Sequence, residues 1–171
     1  GLENLTPIDH SALREIYFAE ADKHILPENQ GKMIIDKMPY NTIEIGLIHR
    51  VFPKARFLFS LRHPCDSVLS CFMQNFSINQ MTMHFLNLED AANFYDQCMS
   101  FWHQYQSIFS LQTHTIRYED LIDNMEGTIQ PLLNFLELDW DENIQQYAET
   151  AKSRGLINTL SYNQVTQPLY K

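Results

Sequence analysis

Glycine is scarce in this chain of 171 residues, with five in all, at positions 1, 31, 46, 127 and 155. They form no cluster of the kind whose backbone N–H groups cradle a phosphate. No GxxxxGK[ST] run occurs either, which excludes a Walker-type nucleotide loop in these residues. Cysteine is sparser still. Cys65, Cys71 and Cys98 are odd in number and show no CxxC pairing. Neither a disulfide framework nor a zinc site is indicated, and a reducing compartment, the cytoplasm, is the default. Cations are outnumbered, with 12 Lys and Arg against 21 Asp and Glu, for a net charge of −9. That balance excludes a broad nucleic-acid surface, which needs clustered cations, but leaves room for a small anion site. No apolar run approaches the roughly 20 residues that span a bilayer. The opening Gly1–Tyr17 stretch has no basic segment leading into an apolar one, so no signal peptide is visible. What is present is apolar bulk: 44% hydrophobic and 12% aromatic residues imply a packed interior, and the length fits one domain over 1–171.

Several short segments carry the pattern of secondary structure. Thr6-Pro7 reads as a helix start with Asp9 as an alternative cap, and Leu13, Ile16 and Tyr17 then recur at helical spacing. After a loop at 27–31, Met33-Ile34-Ile35 reads as a buried strand that ends in Asp36 and Lys37. Asn41 opens a helix in which Ile45, Ile48, His49 and Phe52 share a face, and Pro53 breaks it. Arg56–Leu61 is a second apolar strand, and Arg62-His63-Pro64 leads into a helix that runs to about Asn75. A long helix is expected over 88–109, with Phe94, Cys98, Phe101, Trp102 and Tyr105 as its buried stripe. Thr113–Ile116 is a third strand, ending at Arg117-Tyr118, and helices over 126–138 and 142–152 follow, the first with Pro131 inside it. The tail from 156 to 171 has no period and reads as a loop. Strands alternating with helices imply an α/β fold, a parallel sheet flanked by helices.

In open α/β sheets, ligands bind beyond the carboxyl ends of the strands. Here those ends carry Lys37, Arg62 and Tyr118, a set suited to an anion with an aromatic part. Arg62 stands just before Pro64, at the entry to a helix whose exposed N–H groups and dipole favour phosphate. Its guanidinium can grip two phosphate oxygens at once. Ser70 lies eight residues on, within reach of the same anion. From spacing alone, an equal alternative is that Arg62 pairs with Asp66 while Ser70 merely fills the helix.

Four stretches taken in order resemble the sulfotransferase superfamily: Asp36-Lys-Met-Pro39, Gly46-Leu-Ile-His49, Phe52-Pro-Lys-Ala-Arg-Phe57, and Leu61-Arg-His-Pro-Cys-Asp-Ser-Val-Leu-Ser70. Arg117-Tyr-Glu-Asp-Leu121 is similar to its YEDL segment, and Ser161–Tyr170 to its S-x-x-Q-V-x-x-P-x-Y segment. The resemblance is strongest to a bacterial branch often fused to tetratricopeptide repeats and related to tyrosylprotein sulfotransferases. It implies a three-layer, P-loop-NTPase-like fold and sulfuryl transfer from 3′-phosphoadenosine 5′-phosphosulfate (PAPS) to a hydroxyl or amine, without a metal. By the same resemblance Arg62 and Ser70 hold the donor's 3′-phosphate, and Tyr118 lies beside the adenine or the phosphates. Lys37 matches a lysine near the transferred sulfuryl group, and Ser161 a serine near the phosphosulfate. A tetratricopeptide-repeat region elsewhere in a parent chain goes with this branch.

Two departures qualify that picture. The family's Gly-rich R-S-G-T-T loop, which holds the 5′-phosphosulfate, is absent, so the chain is expected to begin after it and to be a poor catalyst alone. No motif selects a general base among His10, Glu15, Glu20 and His24, and His63 reads as a helix-start residue. Phe76–Leu86, rich in Met, Phe and Asn, is a candidate acceptor lid, although the acceptor itself is not named by any motif. Two other readings compete: a non-catalytic nucleotide-binding scaffold descended from such an enzyme, and a P-loop kinase-like protein with Asp36 as its acidic strand end.

Overall fold

The computed structural model describes residues 6–146. Ser161, most of the expected 142–152 helix and the 156–171 tail lie outside them. The described backbone packs as two compact units, residues 6–55 with Cys98–Gln112, and Arg56–Gln97 with residues 113–146.

The first unit starts with α1, Pro7–Ala21. Both expected caps are used at once. Thr6 accepts the Asp9 N–H at 3.3 Å, and Asp9 accepts the Thr6 N–H at 2.7 Å, a closed capping box with Pro7 in the first turn. Those hydrogen bonds from Thr6 hold the Asp9 carboxyl below its ordinary range. Along α1, Tyr17 and Phe18 meet Phe52 edge to face, with ring centroids 5.1 and 5.8 Å away. Arg14 donates to the Val51 carbonyl at 2.7 Å, closing the end of α2, Asn41–Val51. Ile45, Gly46 and Val51 are the buried positions of α2. Tyr105 crosses at Gly46, where a Cβ would stand 3.1 Å from its ring, and its hydroxyl donates to the Ile43 carbonyl at 2.9 Å. A side chain at position 46 would therefore push on a hydrogen-bonded ring.

One expected element of this unit does not form. Met33-Ile34-Ile35 belongs to no strand, and its residues are 50%, 41% and 69% exposed. The run is apolar enough to be buried, yet the sheet among the described residues has two strands, β1 and β2, and does not include it, so no ladder takes its N–H and C=O groups. The segment is instead tethered at its end, where the Tyr17 hydroxyl donates to Asp36 at 3.1 Å.

In the second unit, β1 (Arg56–Leu61) and β2 (Gln112–Arg117) form a parallel sheet flanked by helices. Parallel neighbours need a long crossover, and residues 62–111 supply it with α3 (Pro64–Met73) and α4 (Leu88–Ile108). Asn87 caps α4 by accepting the Asp90 N–H at 2.8 Å. The expected stripe of α4 is partly right: Trp102, on the part of the helix that belongs to the first unit, is buried, and Phe94, Cys98 and Tyr105 are half-buried, but Phe101 is exposed and stacks along Tyr105. A short α5 (Tyr118–Asp123) follows β2 directly, where the sequence pattern showed only a strand end. Next comes α6 (Met125–Leu136), capped by Asn124 through the Gly127 N–H at 2.9 Å and continuous through Pro131. Leu133 and Leu136 bury its inner face. Glu137 ends the helix in the left-handed region (φ 60°), and its carboxylate pairs with Arg56 at the start of β1.

Candidate functional site

The carboxyl ends of β1 and β2 lie side by side, so the residues just beyond them, Arg62-His63 and Tyr118-Glu119, face each other. The Arg62 guanidinium sits over the Tyr118 ring, 4.8 Å from its centroid. Such stacking holds a planar cation while leaving its N–H edge available for in-plane hydrogen bonds. The Arg62 Nε lies 3.6 Å from Asp66 Oδ2, an ion pair too long for a hydrogen bond. The pairing read from spacing is therefore present.

His63 is the N-cap residue of α3, with Pro64 in the first turn, and its exposed side chain makes no cap hydrogen bond. This agrees with a helix-start role. Its backbone N–H donates to Glu119 Oε1 at 2.8 Å. That bond and the one from Glu119's own N–H, the larger influence, hold the Glu119 carboxyl below its ordinary range, helped by Arg117. Ser70 is half-buried on α3, four residues after Asp66, so the two share a helix face.

Of the residues singled out from sequence, Arg62 and Tyr118 are thus brought together, and Ser70 stands on the helix that Arg62 introduces. Lys37 belongs to the first unit and is exposed in the irregular stretch after Ile35. Ser161 lies outside the described residues. Glu119 was not selected, although the Arg117–Leu121 motif contains it. Its partner is a backbone N–H 56 residues earlier, and no side-chain pattern announces such a bond.

The arrangement offers one oriented guanidinium at the entry of α3 and a hydroxyl about two turns further along the same helix, a combination suited to a phosphate. Among the described residues no three of His, Cys, Asp and Glu gather as a metal site requires, and no helix is long and apolar enough to cross a membrane. A model described as the sulfotransferase family matches residues 2–142. The solved structure titled Sulfotransferase Domain from the Curacin Biosynthetic Pathway superposes with a TM-score of 0.56 at 21% identity, covering 84% of this chain and 54% of that one. An uncharacterized protein of Aquifex aeolicus (strain VF5) is 27% identical over 99% of this chain, which spans 22% of that relative's length. The α/β architecture is therefore that of a sulfotransferase domain, and the chain spans about half of the solved domain.

Proposed function

This chain belongs to the sulfotransferase family, and from that premise we propose that it binds the 3′-phosphate of PAPS through Arg62 and Ser70. In the reaction, an acceptor hydroxyl or amine attacks the sulfur of the donor. The bond from sulfur to the 5′-phosphate oxygen breaks, adenosine 3′,5′-bisphosphate departs, and the acceptor's proton passes to a base. Catalysis of this kind rests on positioning and on stabilising charge at the departing oxygen. The observation that carries the reading is the Arg62 guanidinium held over Tyr118 at the exit of β1. A phosphate arriving there competes with the long Asp66 pairing and offers the guanidinium a bidentate one. Tyr118 then serves first as the platform under Arg62, and only through it as a nucleotide residue. Lys37 near the sulfuryl group and Ser161 near the phosphosulfate complete the reading by family resemblance. The three cysteines, none of them in a disulfide, are consistent with a cytoplasmic enzyme. A tetratricopeptide-repeat region elsewhere in the parent chain also belongs to this reading.

Thermal unfolding tests it. A ligand at a hundredfold its Kd should raise the midpoint by roughly 5 to 10 °C in a chain of this size. We expect that shift with adenosine 3′,5′-bisphosphate, a smaller one with 5′-AMP or ATP, and its loss in Arg62→Ala. A larger shift with ATP than with the bisphosphate would overturn the reading.

A further inference from the structure

Two helices of this protein present the same capping problem and solve it differently. In a capping box, the carboxylate at the third helical position reaches back to the N–H of the N-cap residue. In α1 that happens locally, with Asp9 taking the Thr6 N–H. In α3 the equivalent residues are Asp66 and His63. Asp66 does not take the His63 N–H; it lies against Arg62 instead. The His63 N–H goes to Glu119, from the start of α5. Two carboxylates have thus divided the work, one facing the guanidinium and one fixing the turn behind it.

The consequence follows from adjacency. Tyr118 and Glu119 are consecutive, and so are Arg62 and His63. The ring of the first pair supports the guanidinium while its carboxylate holds the neighbouring backbone, a two-point clamp across the carboxyl ends of β1 and β2. An incoming phosphate competes with Asp66 for Arg62. It does not compete with Glu119, whose bond is to a backbone N–H. The clamp therefore persists through binding, and Arg62 need not be reoriented when the ligand arrives.

We infer that Glu119 is a positioning residue of the donor site, fixing through the His63 N–H the turn from which Arg62 reaches the 3′-phosphate. This rests on the PAPS reading above. Three substitutions separate reach from charge. Glu119→Gln keeps an oxygen at the same reach without the charge. Glu119→Asp keeps the charge but is one methylene short. Glu119→Ala removes both.

The test uses the full chain and has two arms. In the first, without nucleotide, the heteronuclear NOE of the Arg62 side-chain Nε reports how firmly the guanidinium is held. In the second, calorimetric titration compares adenosine 3′,5′-bisphosphate with 5′-AMP. We expect Glu119→Gln to match the wild type in both arms. In Glu119→Asp and Glu119→Ala, Arg62 should become mobile and bisphosphate affinity should fall about tenfold, the size of one hydrogen bond, with 5′-AMP binding unchanged. In an Arg62→Ala background, Glu119→Ala should cost nothing further, because its effect passes through Arg62. Arg62 remaining ordered in both shortened variants overturns the inference, as does a further tenfold loss in the Arg62→Ala background. An Asp variant that behaves as wild type while Gln fails would show charge rather than reach at work, and would overturn it equally. If the wild type prefers 5′-AMP, the PAPS reading fails, and the first arm still decides whether Glu119 positions Arg62.

Discussion

Met33–Ile35 leads to Lys37 in the first compact unit, and Arg56–Leu61 leads to Arg62 in the second, so each holds an apolar run followed by a cation. Their fates differ. The second run is β1, paired with β2, with Phe59 only 8% exposed and its cation held over an aromatic ring. The first run is unpaired as a strand and exposed, and its cation is exposed too. The difference teaches that an apolar run creates a demand for burial but does not by itself make a strand. A strand exists where a neighbour accepts and donates its backbone hydrogen bonds. Only then is the residue beyond its end placed against another strand's end, where a site can form.

The largest expected effect tests that contrast through stability. Phe59→Ala should cost about 3 kcal/mol, as removal of a buried aromatic from a core does. Ile35→Ala, at a residue 69% exposed, should stay within about 0.5 kcal/mol. Urea unfolding of both variants measures this. Equal losses would mean that Met33–Ile35 is packed after all, and the contrast between the two runs would collapse.

What could be read from the residues follows the same division. The start of α1 was legible because its cap, its first-turn proline and its reciprocal carboxylate are all within four residues of one another. The exit of β1 was legible too, since a β-rich run ending at Arg62 and Pro64 specifies a strand and then a helix locally. Met33–Ile35 misled because pairing is a property of two segments, and nothing in three residues states whether the second is at hand. The short α5 was missed because Tyr118–Asp123 is too brief to show a helical apolar period. In the candidate site, Arg62 and Tyr118 were legible from family-like motifs, and the Asp66 pairing from i,i+4 spacing. Glu119 was not, because a carboxylate bonded to a distant backbone N–H looks in sequence like any solvated acid.

A smaller effect, measured on affinity, compares the two cations directly. Arg62→Lys keeps the charge but loses the planar fork and the stacking on Tyr118. Affinity for adenosine 3′,5′-bisphosphate should fall about tenfold. Lys37→Arg should change the same affinity by no more than about twofold, since this nucleotide lacks the sulfuryl group that Lys37 is proposed to meet. Calorimetric titration of both variants decides the matter. The reverse order of losses would transfer the 3′-phosphate from Arg62 to Lys37 and remove the site from the end of β1.

The smallest effects lie in the pH dependence of the ties beside each cation, which should fail at opposite ends of the scale. Beside Arg62, hydrogen bonds hold the Glu119 carboxyl below its ordinary value. A depressed carboxyl contributes stability that is fully present above its unfolded value, about 4.3, and is lost as pH falls through the folded value. Beside Lys37, the Tyr17 hydroxyl donates to Asp36, and burial first, then that hydrogen bond, push the phenol up. A raised phenol contributes stability that is fully present below its unfolded value, about 10, and is lost as pH rises through the folded value. Glu119→Gln should therefore flatten the acid limb of a stability profile and leave the alkaline limb alone, whereas Tyr17→Phe should do the opposite. Urea midpoints taken from pH about 3 to about 11 span both ordinary values and read both limbs. If Tyr17→Phe leaves the alkaline limb unchanged, the bond to Asp36 does not tether the exposed run.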